Sequence, residues 1–391
     1  MRVTHIITRL ILGGAQENTV ASVLGLRGRP GLEVGLISGP TRGPEGSLED
    51  AFAGTPGALT VSPHLIRSVH PWHDLMALRD LTRRLRKRAP DLVHTHSGKA
   101  GILGRLAARR AGVPIIVHTI HGPSFGPFQG PLANLAFTAA ERCAARCTTH
   151  FVSVSDAMTQ QYLAVGVGRR EQFTRIFSGF RLEPFLEARN DPAVRARLGL
   201  GPKDFVVGKI ARLTELKGHD DLFAIAPALV KRCPQVRFLL VGDGRWRRRF
   251  ESMAEASGLR GRFVFTGLVP PAQIPQLVGV MDVLVHLSYR EGLARALPQA
   301  LAAARPIVTY DCDGAGEICL PEETGILVPP HNLELLADRI VQLANDAALR
   351  ERLGRRGQQL VKQWFPVERM IDALEELYRR LAQERGAASR R

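Results

Sequence analysis

Val283-Leu284-Val285-His286, then Ser288-Tyr289-Arg290-Glu291-Gly292, then Leu293-Ala294-Arg295-Ala296-Leu297-Pro298-Gln299-Ala300-Leu301-Ala302-Ala303 holds in one stretch the pattern that decides the fold. The first segment is a continuous apolar run with the length of a strand buried on both faces. The last segment is longer, and its apolar residues recur at helical spacing. Between them lies a polar link with a glycine, where backbone can approach a ligand closely. Strand, loop and helix in that order form half of a βαβ crossover, which joins parallel strands.

The pattern extends in both directions. Strands are expected over 3–8, 33–38, 92–96, 115–120 and 150–154, and helices over 15–25, 73–89, 99–110, 131–147 and 156–165. After a softer segment at 183–203 a second series begins. Its strands are expected over 205–211, 237–242, 263–266, 283–286 and 306–309, and its helices over 220–232, 245–257, 272–280 and 293–303. Such alternation implies an α/β fold of two doubly wound domains, 1–185 and 186–365, each a parallel sheet with helices on both faces. Ligands of such sheets sit beyond the carboxyl ends of the strands, so the expected site is a cleft between two facing domains. Three apolar-periodic stretches follow, over 333–344, 349–364 and 367–382. Pro366 suits a helix start, and 366–391 is expected to cross back to the first domain and end in a frayed tail at 386–391. There is no internal repeat.

Composition narrows the class without choosing a substrate. The 391 residues are 45% apolar and 23% charged, too many and too hydrophobic for one small module or a disordered chain. Lys and Arg number 53 against 37 Asp and Glu, a net +16 that attracts phosphates, acidic substrates or anionic lipid. Five scattered cysteines make neither a disulfide framework nor a zinc ribbon, and a reducing cytoplasm is the simplest compartment. No run reaches the ~18–20 apolar residues that span a bilayer. The amino terminus reads as a first strand, not a signal peptide.

The sharpest chemical constellation lies in the second half. Arg212 follows the strand at 205–211, and Lys217-Gly218 opens the next helix; two cations beside a helix amino terminus form an anion site. In the opening stretch, the free amides of Leu293 and Ala294 after Gly292 would point at a phosphate. Gln299 lies eight residues beyond Glu291, about 12 Å along a helix axis. That span would put Glu291 near a sugar and Gln299 near a ribose. Taken singly, each of these features is also explained by solvated loop charges and a helix cap.

The ordered set Ala211-Arg212-Leu213 with Lys217-Gly218, Val241-Gly242-Asp243-Gly244, Phe265-Thr266-Gly267, and Glu291-Gly292-Leu293 with Gln299-Ala300-Leu301 resembles the family 4 retaining glycosyltransferases of the GT-B fold. In the first half, Gly13-Gly14-Ala15-Gln16-Glu17, Asp91-Leu92-Val93-His94-Thr95-His96 and His118-Thr119-Ile120-His121-Gly122 are similar to that family's amino-terminal motifs. The resemblance covers nearly the whole chain. It implies a nucleotide-sugar donor, most often a UDP-sugar, on the carboxyl-terminal domain and a glycan or lipid-linked acceptor on the amino-terminal one. By the same resemblance, Arg212 and Lys217 would stabilise the leaving diphosphate in place of a metal, so no metal or other cofactor is expected. Glu291 would contact donor-sugar hydroxyls, and Gly267, Leu268 and Val269 the base. Gly292, Leu293 and Ala294 would meet the phosphates, Gly13 and Gly14 would close over the sugar phosphate, and His121 would touch donor sugar or acceptor. Where the family carries a second acidic residue this chain has Gln299, which can bond a ribose but cannot accept twice as a carboxylate does.

Other features carry less. His94 and His96 share a strand face and read as a pair lining the acceptor cleft; with His118 and His121 they lack the acidic or cysteine partner of a metal site. Asp311-Cys312-Asp313 fits a divalent-ion motif but reads as a turn before Gly314. Residues 1–190 hold 23 Lys and Arg against 13 Asp and Glu, a net +10. With Trp72, Leu75 and the basic run at 83–88, this suggests docking on an anionic membrane, the inner face of the plasma membrane. The basic run at 245–249 starts a solvent-facing helix, and no nucleic-acid partner is expected. The competing readings are a nucleotide-sugar epimerase and, because of Gln299, a non-catalytic nucleotide-sugar-binding partner. A dehydrogenase is disfavoured, since no Gly-x-Gly-x-x-Gly links a strand to a helix.

Overall fold

A computed structural model describes residues 1–126 and 128–388, in two compact units: Met1–Phe180 with the chain from Val367 onward, and Arg181–Pro366. The first unit runs β1 (Arg2–Ile7), α1 (Gly14–Arg27), β2 (Glu33–Ser38), β3 (Leu59–Val61), α2 (Pro71–Arg88), β4 (Leu92–His96), α3 (Gly98–Ala111), β5 (Ile115–Ile120), α4 (Pro131–Ala145), β6 (His150–Ser153), α5 (Asp156–Ala164) and β7 (Phe173–Arg175). Its strands form one parallel sheet in the order β3-β2-β1-β4-β5-β6-β7. Every residue of β4 and β5 is buried, as expected of strands covered on both faces. The strands missed by periodicity, β3 and β7, are three-residue edges with partly exposed side chains.

The second unit runs α6 (Glu183–Leu186), α7 (Pro192–Arg197), β8 (Phe205–Ile210), α8 (His219–Arg232), β9 (Val236–Val241), α9 (Arg247–Ala256), β10 (Phe263–Gly267), α10 (Ile274–Gly279), β11 (Val283–His286), α11 (Ala296–Ala302), β12 (Ile307–Tyr310), β13 (Gly325–Val328), α12 (Leu333–Asn345) and α13 (Ala347–Trp364). Its parallel sheet is ordered β10-β9-β8-β11-β12-β13. A core of Val207, Leu222, Phe238, Phe263, Val283, Leu336 and their neighbours fills the space between this sheet and its helices.

Three expectations change. The first unit ends at Phe180 and not at 185, because α6 packs on α10 and α11 with Phe185 buried. The return helix α14 (Val367–Ala388) extends through Gly386, so no frayed tail begins there; residues 389–391 lie outside the described residues. Met370, Ile371, Leu374, Leu377, Tyr378 and Leu381 form one face of α14 and join Val3, Ile7 and Val23 in the core of the first unit. At about 1.5–3 kcal/mol per buried aliphatic side chain, that face makes α14 part of this unit. The third change is that α11 starts at Ala296 instead of 293. The residues before it are held elsewhere: Glu291 N donates to Asp313 Oδ2 at 2.6 Å, and Gly314 N donates to Gly292 O at 3.1 Å.

Candidate functional site

In the second sheet β8 and β11 are neighbours, but the chain leaves β8 toward β9 and β11 toward β12. The strand order reverses at that point, and the loops that leave the two carboxyl ends lie where sheets of this kind take their ligands. Backbone contacts lock the loops together: Tyr289 N donates to Leu216 O at 2.9 Å, and Ser288 Oγ to the same oxygen at 3.0 Å. Gly218 makes this approach possible. Its φ is +63°, and a Cβ there would lie 1.8 Å from Leu287 O. Lys217, held between Leu216 and Gly218, pairs its Nζ with Glu291 Oε1, and Ser288 Oγ lies 3.3 Å from the same oxygen.

The surroundings of this pair are cationic. Burial pushes the Glu291 carboxyl up, but Lys217, His286 and hydrogen bonds from Lys217 and Ser288 outweigh it and hold the group below its ordinary range. His286 Nε2 stands 3.8 Å from Glu291 Oε1, and burial pushes its imidazole down to about 3. Lys209, the last residue but one of β8, has no exposed surface, and its Nζ has no hydrogen-bond partner among the described residues. Burial first, and then repulsion from Lys217, push its ammonium down to about 7 against the pull of Asp221 and Glu291. His219 Nδ1 and both ring nitrogens of His286 are likewise buried without hydrogen-bond partners. An unpaired ammonium out of water costs several kcal/mol. A dianion at the strand ends would offset that cost, because it would face Lys217, Lys209 and the amides that open the fourteen-residue α8.

Arg212 stands exposed just past the end of β8, five positions before Lys217. Gly267 ends the edge strand β10 with φ +73°, Leu268 is exposed, and Val269 is half-buried. Because α11 starts at Ala296, the Leu293 and Ala294 amides belong to a loop and are not a helix amino terminus. For the same reason Glu291 and Gln299 do not share a helix axis, so the 12 Å span is withdrawn; Gln299 is half-buried on α11. The amino acids missed in the sequence are Lys209, His219, His286 and Asp313. A lysine inside the apolar run 205–210 was itself a visible signal. Asp313 opens a short 3-10 helix, Asp313–Glu317, where a turn was expected, with φ +52°, and its carboxylate holds the Glu291 backbone. Asp221 Oδ2 accepts from both Tyr289 and Tyr310, which ties the Glu291 loop to α8 and β12.

In the first unit the order reverses between β1 and β4. Gly13 caps α1 in extended backbone, and Gly14 beside it is exposed. His121 follows β5, with its Nε2 3.2 Å from His96 Nδ1. The loop after it is pinned by Ser124 Oγ to Glu141 at 2.8 Å, and Glu141 in turn meets the buried Arg105 at 2.5 Å. His94 and His96 do not line a cleft: both are fully buried, His94 against Tyr378 of α14 and His96 against His5. His5, His94 and His96 bring ring nitrogens within 4.8 Å of one another. Three of the four arginines at 245–249 are engaged by acids, Arg245 by Glu215, Arg247 by Asp243 and Glu251, and Arg249 by Asp220. Among the described residues no helix is long and apolar enough to cross a membrane.

Two family models match along the chain: a glycosyl transferase 4-like domain over residues 13–176 and glycosyl transferases group 1 over 190–360. A GDP-mannose-dependent alpha-mannosyltransferase of Mycobacterium tuberculosis is 30% identical over 285 residues, 70% of this chain and 71% of that one. The chain belongs to the glycosyl transferases group 1 family. The UDP-Gal:alpha-D-GlcNAc-diphosphoundecaprenol alpha-1,3-galactosyltransferase of Escherichia coli is 27% identical over 320 residues, 81% of this chain and 82% of that one. The structure of Anabaena HepE in complex with UDP-glucose matches with a TM-score of 0.81 at 23% identity, covering 97% of this glycosyltransferase and 99% of that chain. The fold class is therefore that of the GT-B glycosyltransferases, two Rossmann-like parallel-sheet units.

Proposed function

We propose that this glycosyltransferase moves a hexose or N-acetylhexosamine from a UDP-sugar to a glycan or lipid-linked acceptor, with retention at the anomeric carbon and without a metal. The carrying observation is the Lys217–Glu291 pair at the switch point of the second sheet, above a buried Lys209 that has no counter-ion bonded to it. Lys217 and Arg212 neutralise the diphosphate as it leaves, the electrostatic work a divalent ion does in other transferases. Glu291, kept ionised by Lys217 and with its backbone held by Asp313, accepts from donor-sugar hydroxyls, and the chain around Gly292, Leu293 and Ala294 meets the phosphates. Gly267, Leu268 and Val269 meet the base, and Gln299 the ribose. The first unit takes the acceptor, with Gly13, Gly14 and His121 on its reacting side. The acceptor oxygen bonds the anomeric carbon on the face from which the diphosphate departs, and a departing phosphate oxygen takes the acceptor proton. No protein nucleophile enters the balance.

The relatives support a nucleotide-sugar donor and differ in its base, UDP in the Escherichia coli enzyme's name and GDP in the mycobacterial one. A thermal-shift screen of UDP-, GDP- and ADP-sugars separates them, since a ligand bound only by the folded state raises its melting point. A shift with UDP-sugars is expected, and a shift confined to GDP-sugars overturns the base assignment. The anomeric configuration of the product tests retention, and undiminished turnover in a chelator tests metal independence. Trp72 and Leu75 of α2 are 60% and 42% exposed, and Leu132 and Leu135 of α4 are 83% and 66% exposed, within the stretch 1–190 that carries the +10 excess. These support docking on anionic lipid to reach a lipid-linked acceptor; equal sedimentation with neutral and anionic liposomes would remove it.

A further inference from the structure

The histidines of the first unit form a continuous hydrogen-bonded chain. Tyr378 Oη, on α14, contacts His94 Nδ1 and lies 3.3 Å from His5 Nε2. His5 Nδ1 lies 2.9 Å from His96 Nε2, and His96 Nδ1 lies 3.2 Å from His121 Nε2. His94 closes its other side on Thr119 Oγ1 at 2.6 Å. The ring geometry shows that these contacts run in the ring planes. His5 and His96 are 13° from parallel with centroids 5.1 Å apart, and His96 and His121 are 26° from parallel at 5.4 Å. A ring nitrogen lies about 1.1 Å from its centroid, so each separation is matched by two such radii and the N···N distance, with little offset between planes.

His5, His94, His96 and Tyr378 are fully buried, and burial holds the imidazoles of His5 and His121 far below their ordinary range, so the rings are neutral at pH 7. A neutral imidazole carries one donor and one acceptor nitrogen. Each contact therefore dictates the next, and the chain has only two self-consistent polarities. The phenol is a stronger donor than a neutral ring N–H, and it lies nearer His94 Nδ1 than His5 Nε2. It therefore donates to His94, which donates from Nε2 to Thr119. The Tyr378 oxygen then accepts from His5 Nε2–H, His5 Nδ1 accepts from His96 Nε2–H, and His96 Nδ1 accepts from His121 Nε2–H. This account uses every nitrogen of the three rings that would otherwise be spaced for a metal ion. His121 Nδ1 is the one nitrogen of the chain without a hydrogen-bond partner among the described residues, on a half-buried side chain.

We infer that Tyr378, His5 and His96 are positioning residues that hold His121 as its Nε2–H tautomer and present Nδ1 as a hydrogen-bond acceptor to a carbohydrate hydroxyl. The hydroxyl's role rests on the transferase reading above; the tautomer does not. The partner of each nitrogen decides which one carries the proton, and here the deciding group is on the helix that returns from the far end of the chain.

The test is long-range 1H–15N correlation on the full-length protein labelled with 15N-histidine, with His121→Ala to assign the ring. In the wild type His121 should show a protonated Nε2 and an unprotonated Nδ1. Tyr378→Phe and His96→Gln should give averaged, mixed-tautomer shifts. His96→Asn, whose side-chain oxygen can stand where Nδ1 stood, should restore the wild-type pattern. Turnover should fall about 10- to 100-fold in the first two variants, the range for losing a partner that orients a functional histidine, and recover in the third. A wild-type His121 protonated on Nδ1, or one unmoved by both Tyr378→Phe and His96→Gln, overturns the inference even if one variant fails to fold. If the shifts move as expected while transfer is unaffected, the chain stands and the role of His121 in transfer fails. Adding nucleotide-sugar or acceptor singly shows, by which one shifts Nδ1, whose hydroxyl it meets.

Discussion

The two switch points handle buried polarity in opposite ways. In the first unit four histidines, a tyrosine and a threonine satisfy one another, and the cluster carries no charge. In the second, Lys209, His219 and His286 leave ring or amine nitrogens buried without hydrogen-bond partners beside a charged Lys217–Glu291 pair. Internal satisfaction fixes geometry, because every proton has one place to go. Incomplete satisfaction costs stability and is tolerated where something else supplies the missing partner. The same fold thus holds a neutral hydrogen-bonded cluster in one unit and, in the other, buried basic nitrogens without hydrogen-bond partners among the described residues beside an ion pair.

The largest test of that contrast is Lys217→Ala. Turnover should drop about 10²–10³-fold, the range for removing one preorganised electrostatic group, with the melting temperature barely changed. Unchanged transfer in steady-state assays would break the second half of the comparison. Next comes acid. The unfolded chain takes up protons near pH 6.5, whereas folded His5 does so only near pH 3. Between those values the unfolded state holds more protons, so stability falls as pH drops below about 6.5, by about 2–4 kcal/mol from this residue before other groups are counted. Urea titrations at pH 7 and pH 4.5 should show the loss, and His5→Gln should remove part of that slope.

Lys209 repeats that sign in a higher pH window. Its ammonium titrates near 7 when folded and near 10.5 when unfolded, so the unfolded state holds the extra proton between those values and stability rises with pH across that window. Lys209→Met should raise stability by about 1–3 kcal/mol at pH 7 and flatten the curve above it. It should also weaken donor binding, and a variant that is more stable and binds as well as the wild type would show Lys209 to be a packing residue only. The smallest effect is expected from Gln299→Glu. A carboxylate accepts two hydrogen bonds where the amide accepts with one atom, so calorimetry should show nucleotide-sugar binding a few-fold tighter, with turnover changed less.

How much of this was legible depended on range. Runs such as 92–96, 115–120 and 283–286 read as strands because each opens on β-branched or aliphatic residues of the kind a strand buried on both faces requires, although His94, Thr95, His96, His118, Thr119 and His286 are buried in them as well. Short edges such as Leu59–Val61 had too little pattern. Motif order along the chain pointed to Lys217 and Glu291, which the fold then joins. The start of α11 was misread because its amphipathic spacing begins at Leu293, while long-range bonds from Asp313 and Gly314 hold the preceding backbone out of the helix. The histidine chain was beyond local reading, since His5, His96, His121 and Tyr378 meet only after three strands and a returning helix are assembled.

That returning helix sets an order of events during synthesis. Met370, Ile371 and Tyr378 belong to the core of the unit translated first, yet they leave the ribosome after the whole of the second unit. The nascent amino-terminal half must wait with an open apolar face and an unfinished histidine stack until the second unit has been made and α14 has emerged. Chains cut off just before Val367 would keep both sheets and lose the closure of the first.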